Sequence, residues 1–174
     1  MIVDSSSLII IAKVNKLEVL LRLYKDIFIT KNIYKETVEE GMIIGASDSK
    51  IIKNFVEDNK IKILNLNKKY DNFSNELKKI FPQLGDGESD AISLALQEKD
   101  NIIMDEKIGR QVCRLYNLKP KGTLRILLEA YKNNIIKEDE LKQIINDIIK
   151  YKFRIGADVI NEFWNLFDKI KNIK

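Results

Sequence analysis

Two aspartates each follow a short apolar segment, and the two segments lie far apart in the chain. Asp4 comes directly after the apolar residues 1–3, and Asp105 comes directly after the apolar residues 102–104. If both segments are strands of a parallel sheet, both aspartates lie just beyond strand carboxyl ends, where open α/β sheets bind ligands. Carboxylates brought together there repel one another, so we expect a cation to hold them.

Three further acids are expected near the same edge of the sheet. Glu36 falls in the first turns of the helix that follows the apolar residues 27–29, and Glu88 and Asp90 open the helix after the glycine-rich residues 85–87. Mg²⁺ and Mn²⁺ prefer oxygen ligands and usually keep several bound waters. A metal held by these acids would help to generate hydroxide and to offset charge on a leaving oxygen, which is the chemistry of phosphodiester hydrolysis.

Each of these residues also has an ordinary structural explanation. Asp4, Asp105 and Ser6 could simply cap the helices that begin beside them, because aspartate and serine are favoured at that position. Glu88 and Asp90 lie at the start of a helix, where the helix dipole favours acids without any ligand. Their coincidence at one predicted edge favours a metal site over these separate explanations.

The composition excludes several classes of enzyme. The 174-residue chain contains no histidine, which excludes Ser-His-Asp hydrolysis, paired-histidine ribonuclease chemistry and zinc sites that need imidazole. Cys113 is the single cysteine, so a disulfide framework and a CxxC zinc module are excluded and a reducing compartment is favoured. Hydrolytic chemistry in this chain would therefore depend on carboxylates, hydroxyls, amines or a hard metal.

The charge balance is mildly basic, with 30 Lys and Arg against 26 Asp and Glu and a net charge of +4. If several acids lie in one pocket, the remaining surface is more basic and favours a polyanion such as RNA or DNA. A lysine-rich surface that only prevents aggregation is the simpler explanation of the charge alone. No segment approaches the roughly 18 apolar residues of a membrane span, and no secretory signal precedes the first predicted strand, so we expect a cytoplasmic protein without a membrane segment.

Short apolar strands alternate with helices, which predicts an α/β fold: a three-layer α/β/α sandwich with a central, mostly parallel sheet. The predicted strands are residues 1–4, 27–29, 61–64 and 102–104, with a short edge strand at 118–120. The edge position of the last strand follows from Pro120, which cannot serve a central ladder. The chain shows no linker, so residues 1–174 are expected to form one domain, with additional helices from about residue 137.

The predicted helices differ in how far they should be buried. Asn32 is expected to cap a helix that runs to about Glu40 and ends at Gly41. Residues 88–99 are apolar on most sides, which predicts a central helix. The last two predicted helices, at 138–151 and 157–172, are amphipathic. Completion of the core is favoured for them over a partner or dimer surface.

Three motifs together resemble the PIN-domain ribonucleases. Residues 4–6 (Asp-Ser-Ser), after the first strand, look like the opening DxS motif of that family. Residues 84–95 (LGDGESDAISLA) resemble its central acidic helix, in the Gly-Glu-x-Glu-Ala-Ile form of one subgroup. Residues 102–105 look like the final strand with its aspartate. Residues 110–128 contain further matches to the subgroup, so the resemblance covers about residues 1–135.

The resemblance implies a PIN-like fold and a magnesium- or manganese-dependent endoribonuclease, often the toxin of a VapC-type toxin–antitoxin pair and often a homodimer. RNA is then the substrate, and an antitoxin protein and a second copy of the chain are the expected partners. The implied metal-binding and catalytic acids, with the serine that supports them through a hydroxyl hydrogen bond, are Asp4, Glu36, one of Glu88 or Asp90, Asp105, and Ser6.

The chain departs from the family pattern at two positions. Asp90 stands where the subgroup usually has Glu, so either Glu88 or Asp90 could be the ligand. The lead-in to Glu36 lacks a commonly seen proline, which leaves Glu39 and Glu40 as substitutes for that acid.

Other interpretations of the motifs remain open. Arg110 and Thr123 could contact a phosphate, although packing or capping is favoured for both. The chain could be a nucleic-acid-binding or antitoxin-binding module that has the fold without turnover. It could also be another Mg-dependent acidic α/β phosphohydrolase, such as a phosphatase or a receiver domain, in which Lys107 would be the lysine near the phosphate.

Overall fold

Within residues 1–151 and 155–173, which are the part of the chain that the computed structural model describes, four short strands form one parallel sheet. The strands are β1 (Ile2–Val3), β2 (Ile27–Ile29), β3 (Ile61–Ile63) and β4 (Ile102–Ile103). They lie in the order β3-β2-β1-β4, with Ile2 opposite both Phe28 and Ile102. The α/β class is confirmed, because helices flank a parallel sheet whose strands β1 and β4 are fully buried.

The order of the strands reverses at β1. The chain builds β2 and β3 outward on one side of β1 and then places β4 on the other side. A reversal of this kind opens a crevice beyond the carboxyl ends of β1 and β4, where ligands bind in open α/β sheets. Asp4 follows β1 and Asp105 follows β4, so the two predicted aspartates lie on the two sides of this crevice.

Helices make up most of the remaining structure. They are α1 (Ser5–Lys13), α2 (Leu17–Leu23), α3 (Lys31–Tyr34), α4 (Gly41–Ile43), α5 (Ser47–Glu57), α6 (Lys68–Ile80), α7 (Asp86–Glu98), α8 (Lys107–Leu115), α9 (Thr123–Lys132), α10 (Glu138–Lys150) and α11 (Ala157–Ile173). A π-helical segment (Lys35–Glu40) joins α3 to α4 through helical backbone at both ends. None of the described helices is long and apolar enough to cross a membrane.

Helix α7 is central, as the sequence predicts. Residues 89–95 of this helix are all buried, because they are small or apolar except for Asp90. The helix packs against α3, α6 and α8 and against the strands β1 and β4. This packing fixes the first turn of α7, which carries Glu88, relative to β1 and β4.

The helical stretch that carries Glu36 begins and ends differently from the prediction. Thr30, not Asn32, is the N-cap, and its hydroxyl oxygen accepts a backbone N–H of the first turn at 3.3 Å. Gly41 does not end the stretch, because its backbone is helical. The left-handed conformation that favours glycine occurs later, at Gly45, where φ is 72°.

The predicted edge strand at 118–120 is wrong, and the pairing occurs at Lys121 instead. Lys121 forms a parallel bridge with Ile103, and its N–H donates to a β4 carbonyl at 2.9 Å. Pro120 has no N–H to donate, so the bridge can begin only after it. This pairing holds the start of α9 beside the carboxyl end of β4.

Helices α10 and α11 extend the hydrophobic core on the side of α9. Ile144 and Ile148 of α10 are buried, as are Phe163 and Phe167 of α11. The Phe167 ring lies 5.0 Å from the ring of Tyr131 in α9. The amphipathic C-terminal helices therefore contribute core side chains, as the sequence favours.

Candidate active site at the carboxyl edge of the sheet

Ser7 links the two aspartates that follow β1 and β4. Its backbone N–H donates to Asp4 Oδ1 at 2.9 Å, and its hydroxyl donates to Asp105 Oδ2 at 2.8 Å. Ser7 lies in the first turn of α1, whose N-cap is Asp4. Two carboxylates from distant parts of the sequence are thus held by one serine at the crevice between β1 and β4.

Asp4 is almost fully buried, with an exposed fraction of 1%. Burial, with a smaller contribution from the nearby charge of Asp105, raises the pKa of Asp4 to about 7. Hydrogen bonds from Ser7 and Ser6 act in the opposite direction, and the Ser6 hydroxyl donates to Asp4 Oδ2 at 3.1 Å. An ionised Asp4 is therefore costly in this position unless a cation lies near it.

Asp105 also caps the start of helix α9. Its Oδ1 accepts the Thr123 N–H at 2.9 Å, and its Oδ2 accepts the Thr123 hydroxyl. Thr123 is the first residue of α9, so both of its donors are taken up by this carboxylate. Gly122 lies against the same carboxylate, because a Cβ there would lie 3.0 Å from Asp105 Oδ1 and 2.9 Å from Arg110 Nη1. The missing side chain at Gly122 lets a carboxylate and a guanidinium approach one point of the backbone.

Glu36 reaches the site from the π-helical segment. Its Oε1 accepts the Gly87 N–H at 3.0 Å, and its Oε2 accepts the Ser5 hydroxyl. A Cβ on Gly87 would lie 2.5 Å from Glu36 Oε2 and 2.7 Å from Ser5 Oγ. Any side chain at Gly87 would displace Glu36, so this glycine permits the contact between the π-helical segment and α7.

Glu88 lies beside Glu36 on the first turn of α7. Burial raises its pKa, the charges of Glu106 and Glu36 raise it further, and the Gly85 N–H opposes the shift by donating to Glu88 Oε2 at 2.9 Å. The second oxygen, Oε1, lies 3.3 Å from the point where a Cβ of Gly109 would be. Glu88 therefore faces α8 and other acids, in surroundings that favour a cation.

Asp90 has different surroundings, although it is only one half-turn away on α7. Its Oδ1 accepts the Ser74 hydroxyl at 2.6 Å, and its Oδ2 accepts the Asn32 side-chain amide at 2.8 Å. Burial raises the pKa of Asp90, and these two hydrogen bonds oppose the shift. Because residues advance by roughly 100° along a helix, Asp90 faces α3 and α6 while Glu88 faces α8.

Helix starts neutralise part of the acidic charge. The donors are backbone N–H groups in the first turns of three helices, namely Ser7 in α1, Gly87 in α7 and Thr123 in α9. The amino end of a helix carries partial positive charge, which stabilises a nearby anion by about 0.3–1 kcal/mol. This convergence explains how the protein holds several acids at one edge of the sheet.

The acids form two neighbouring pairs. Asp4 lies with Asp105, Glu36 lies with Glu88, and the first turn of α1 contacts both pairs. Among the residues that the structure describes, no three Asp, Glu, Cys or His side chains are gathered as a ready metal-binding group. The donors are nevertheless hard oxygens, and the charges of neighbouring carboxylates add to the rise in pKa that burial causes at Asp4 and Glu88. In donor chemistry and in charge, these residues fit Mg²⁺ or Mn²⁺.

The structure separates the alternatives that the sequence leaves open at the glutamates. Glu39 and Glu40 are exposed, and Glu40 lies 3.9 Å from the Lys35 ammonium, so Glu36 is the acid that reaches the site. Lys107 is exposed and, within the described ranges, forms no ion pair with Asp105.

Sequence reasoning missed two residues of the site. Ser7 holds both aspartates, and the run of serines directly after Asp4 is the sequence feature that could have pointed to it. Glu106 contributes to the charge around Glu88, and its signal was its position directly after Asp105.

A comparison with protein families identifies the family to which this geometry corresponds. A family model described as DUF3368, a PIN domain, matches residues 1–169. No curated protein and no solved structure matches the chain. The matched range contains all of the predicted acids and extends into α11.

Proposed function

The chain belongs to the PIN-domain family, and from that premise we propose that it is a divalent-metal-dependent endoribonuclease. PIN domains are generally nucleases that use divalent metals. The observation that supports the proposal most is that Asp4, Asp105 and Glu36 all contact the first turn of α1 at one edge of the sheet. Glu88 lies beside Glu36 at the same edge. No histidine is needed, because a bound metal would acidify the attacking water and so supply the activation that an imidazole base gives in other enzymes.

Asp4, Glu36, Glu88 and Asp105 would hold Mg²⁺ or Mn²⁺. When bound, the metal would supply an acidified water and a positive charge near the leaving oxygen of a phosphodiester. The chain itself orients the ligands, since Ser7 fixes the aspartates to each other through bonds of 2.9 and 2.8 Å. We assign Asp90 to positioning, because its oxygens are already occupied by neutral donors from α3 and α6.

Nucleic-acid binding is consistent with the family and with the net charge of +4. We propose RNA as the nucleic acid, a role as the toxin of a toxin–antitoxin pair, and a homodimeric, cytoplasmic protein. The single, buried Cys113 suits a reducing compartment. Each of these finer assignments could be wrong without affecting the proposal of metal-dependent cleavage.

Cleavage of a labelled RNA in the presence of Mn²⁺ or Mg²⁺ tests the proposal. We expect the wild-type chain to cut the RNA internally, EDTA to stop the reaction, and Asp4→Asn to reduce the rate by about a thousandfold, because a metal ligand is worth several kcal/mol in the transition state. Asparagine is as good an N-cap as aspartate, so α1 should remain intact in this variant.

Asp86→Asn is the matched control. Asp86 also lies in the first turn of α7, but its side chain is 64% exposed and its carboxylate pairs with Lys78 at 2.7 Å. We expect this variant to cut RNA like the wild type. An Asp4→Asn variant with wild-type activity would contradict the proposed site. A wild-type chain that binds RNA but never cuts it with either metal would favour the module without turnover.

A further inference from the structure

Arg110 lies close to the candidate site but belongs to none of its acid pairs. It is half-buried on α8, and its Nη1 donates to the carbonyl oxygen of Met104 at 3.1 Å. That carbonyl directly precedes Asp105, so the guanidinium is held against the end of β4. The same Nη1 lies close to the backbone of Gly122, where a Cβ would be 2.9 Å away.

The charge of Arg110 is not neutralised by a carboxylate. Among residues 1–151 and 155–173, no acid lies within ion-pairing distance of Arg110, whereas Arg125 on the neighbouring α9 pairs with Glu129 at 3.2 Å. One N–H of Arg110 is used by the Met104 carbonyl, which leaves the remaining donors of the planar fork available. A partly buried guanidinium without an anionic partner is suited to bind one from outside.

A groove of about 670 Å³ begins beside this guanidinium. Asp105, Arg110 and Gly122 line it, together with apolar residues of α9 and α11 that include Leu124 and Phe163. Its position brings the donors of Arg110 and the carboxylate of Asp105 to one continuous surface. The groove has room for a nucleotide whose phosphate lies at the guanidinium and whose base and ribose lie against the apolar walls.

We propose that Arg110 binds a backbone phosphate of the RNA next to the bond that is cut. This inference rests on the proposed nuclease function and adds to it the residue that anchors the substrate strand. Arginine suits this role because its fork can donate two parallel hydrogen bonds to one phosphate. Gly122 makes the position possible, since a larger residue there would push both Arg110 and Asp105 away from their contacts.

Fluorescence anisotropy with a labelled single-stranded RNA in EDTA measures binding without cleavage. We expect Arg110→Gln to weaken binding by about tenfold, because a hydrogen bond to a charged group is worth about 1.5–3 kcal/mol. The slope of log affinity against log salt should fall by about one, as for the loss of one phosphate contact. Arg110→Lys keeps the charge but not the planar fork of donors, so its affinity for RNA should lie between those of the wild type and Arg110→Gln.

Arg114→Gln is the matched control, because Arg114 carries the same charge one turn further along α8 and is exposed. We expect little change in the affinity of this variant. Equal affinities for Arg110→Gln and Arg114→Gln would overturn the inference, as would a wild-type chain that does not bind RNA. If Arg110→Gln does not fold, Arg110→Lys tests the inference instead. Wild-type affinity together with wild-type salt dependence in Arg110→Lys would then count against the inference.

The binding assay and the cleavage assay fail independently. If the Arg110 variants bind like the wild type while Asp4→Asn abolishes cleavage, only the phosphate anchor is wrong. If Arg110→Gln weakens RNA binding while the wild type does not cut RNA with either metal, Arg110 still binds a phosphate, but the nuclease function and the position of that phosphate beside a cut bond are wrong.

Discussion

Glu88 and Asp90 lie two residues apart in one sequence motif, but their side chains belong to two different regions of the molecule. Glu88 belongs to the carboxyl edge of the sheet, where its neighbours are the acids Glu36 and Glu106. Asp90 belongs to the junction of α3, α6 and α7, where its neighbours are the neutral donors Asn32 and Ser74. Both carboxyls have raised pKa values, and burial is the largest cause for both.

The comparison shows that burial alone does not identify a metal ligand. A buried carboxylate whose oxygens both accept short bonds from neutral donors has its hydrogen-bonding capacity occupied, and its role is to hold helices together. A buried carboxylate that faces other carboxylates lacks compensating charge, and a cation supplies it. The surroundings of the two acids, rather than their exposure, separate a binding role from a positioning role.

The largest expected effect is on the rate of RNA cleavage, which should distinguish Glu88 from Asp90. Glu88→Gln should reduce Mn²⁺-dependent RNA cleavage by about a thousandfold, because it removes a charged ligand of the proposed metal. Asp90→Asn should reduce it by no more than about tenfold, because asparagine can still accept one of the two hydrogen bonds. The initial rate of cleavage of a labelled RNA measures both, and a reversed order would exchange the two roles.

Removal of the Asp90 carboxyl should have the second largest effect, on stability. Asp90→Ala leaves the amide of Asn32 and the hydroxyl of the buried Ser74 without an acceptor. We expect the free energy of unfolding to fall by about 3 kcal/mol, since each unsatisfied buried donor costs about 1–3 kcal/mol. Urea denaturation measures the change. A loss near zero would mean that water replaces the carboxylate and that the junction does not depend on it.

Metal binding should distinguish the two acids by a smaller amount. At a hundredfold excess over its dissociation constant, Mn²⁺ should stabilise the wild type by about 2.7 kcal/mol. A tenfold loss of affinity in Glu88→Gln would remove about 1.4 kcal/mol of this stabilisation, and Asp90→Asn should keep most of it. Thermal unfolding with and without Mn²⁺ measures the shift for each protein. An equal shift in all three would exclude Glu88 as a ligand.

The smallest expected effect concerns the contact between the π-helical segment and α7. Gly87→Ala would ordinarily stabilise a helix by up to about 1 kcal/mol. Here the added Cβ would lie 2.5 Å from Glu36 Oε2, so we expect a net loss of about 1 kcal/mol and slower cleavage. Alanine at the exposed Gly156 would not be a comparable control. Ser89→Ala, on the same helix as Gly87, is the control instead. We expect this variant to cut RNA at the wild-type rate. A stabilised and fully active Gly87→Ala would show that Glu36 does not need this contact.

The positions of the strands and of the two aspartates were predictable because they depend on local patterns. Short apolar runs define β1 and β4, and an acid directly after each run must lie at the same edge of a parallel sheet. The burial of α7 was predictable for the same reason, because its apolar residues are continuous along the chain.

The roles of Glu88 and Asp90 could not be separated from the sequence, because the partners of Asp90 lie elsewhere in the chain. Asn32 and Ser74 reach Asp90 only after α3 and α6 have packed against α7. The limits of the Glu36 helix were missed for a related reason, since a π-helical segment has no sequence pattern as clear as a glycine stop. The edge pairing at Lys121 depends on a backbone bridge, which side-chain patterns do not encode.

The π-helical segment has a consequence for how the chain selects one acid from three. In a regular α-helix, residues spaced by three or four share a face, so Glu36, Glu39 and Glu40 would crowd together. The wider turn changes the angles between them and separates Glu36 from Glu39, and of the three only Glu36 is partly buried while the other two remain exposed. Loss of one residue from this turn would restore the tighter winding without breaking the helix, and a different glutamate would then rotate toward the first turn of α7.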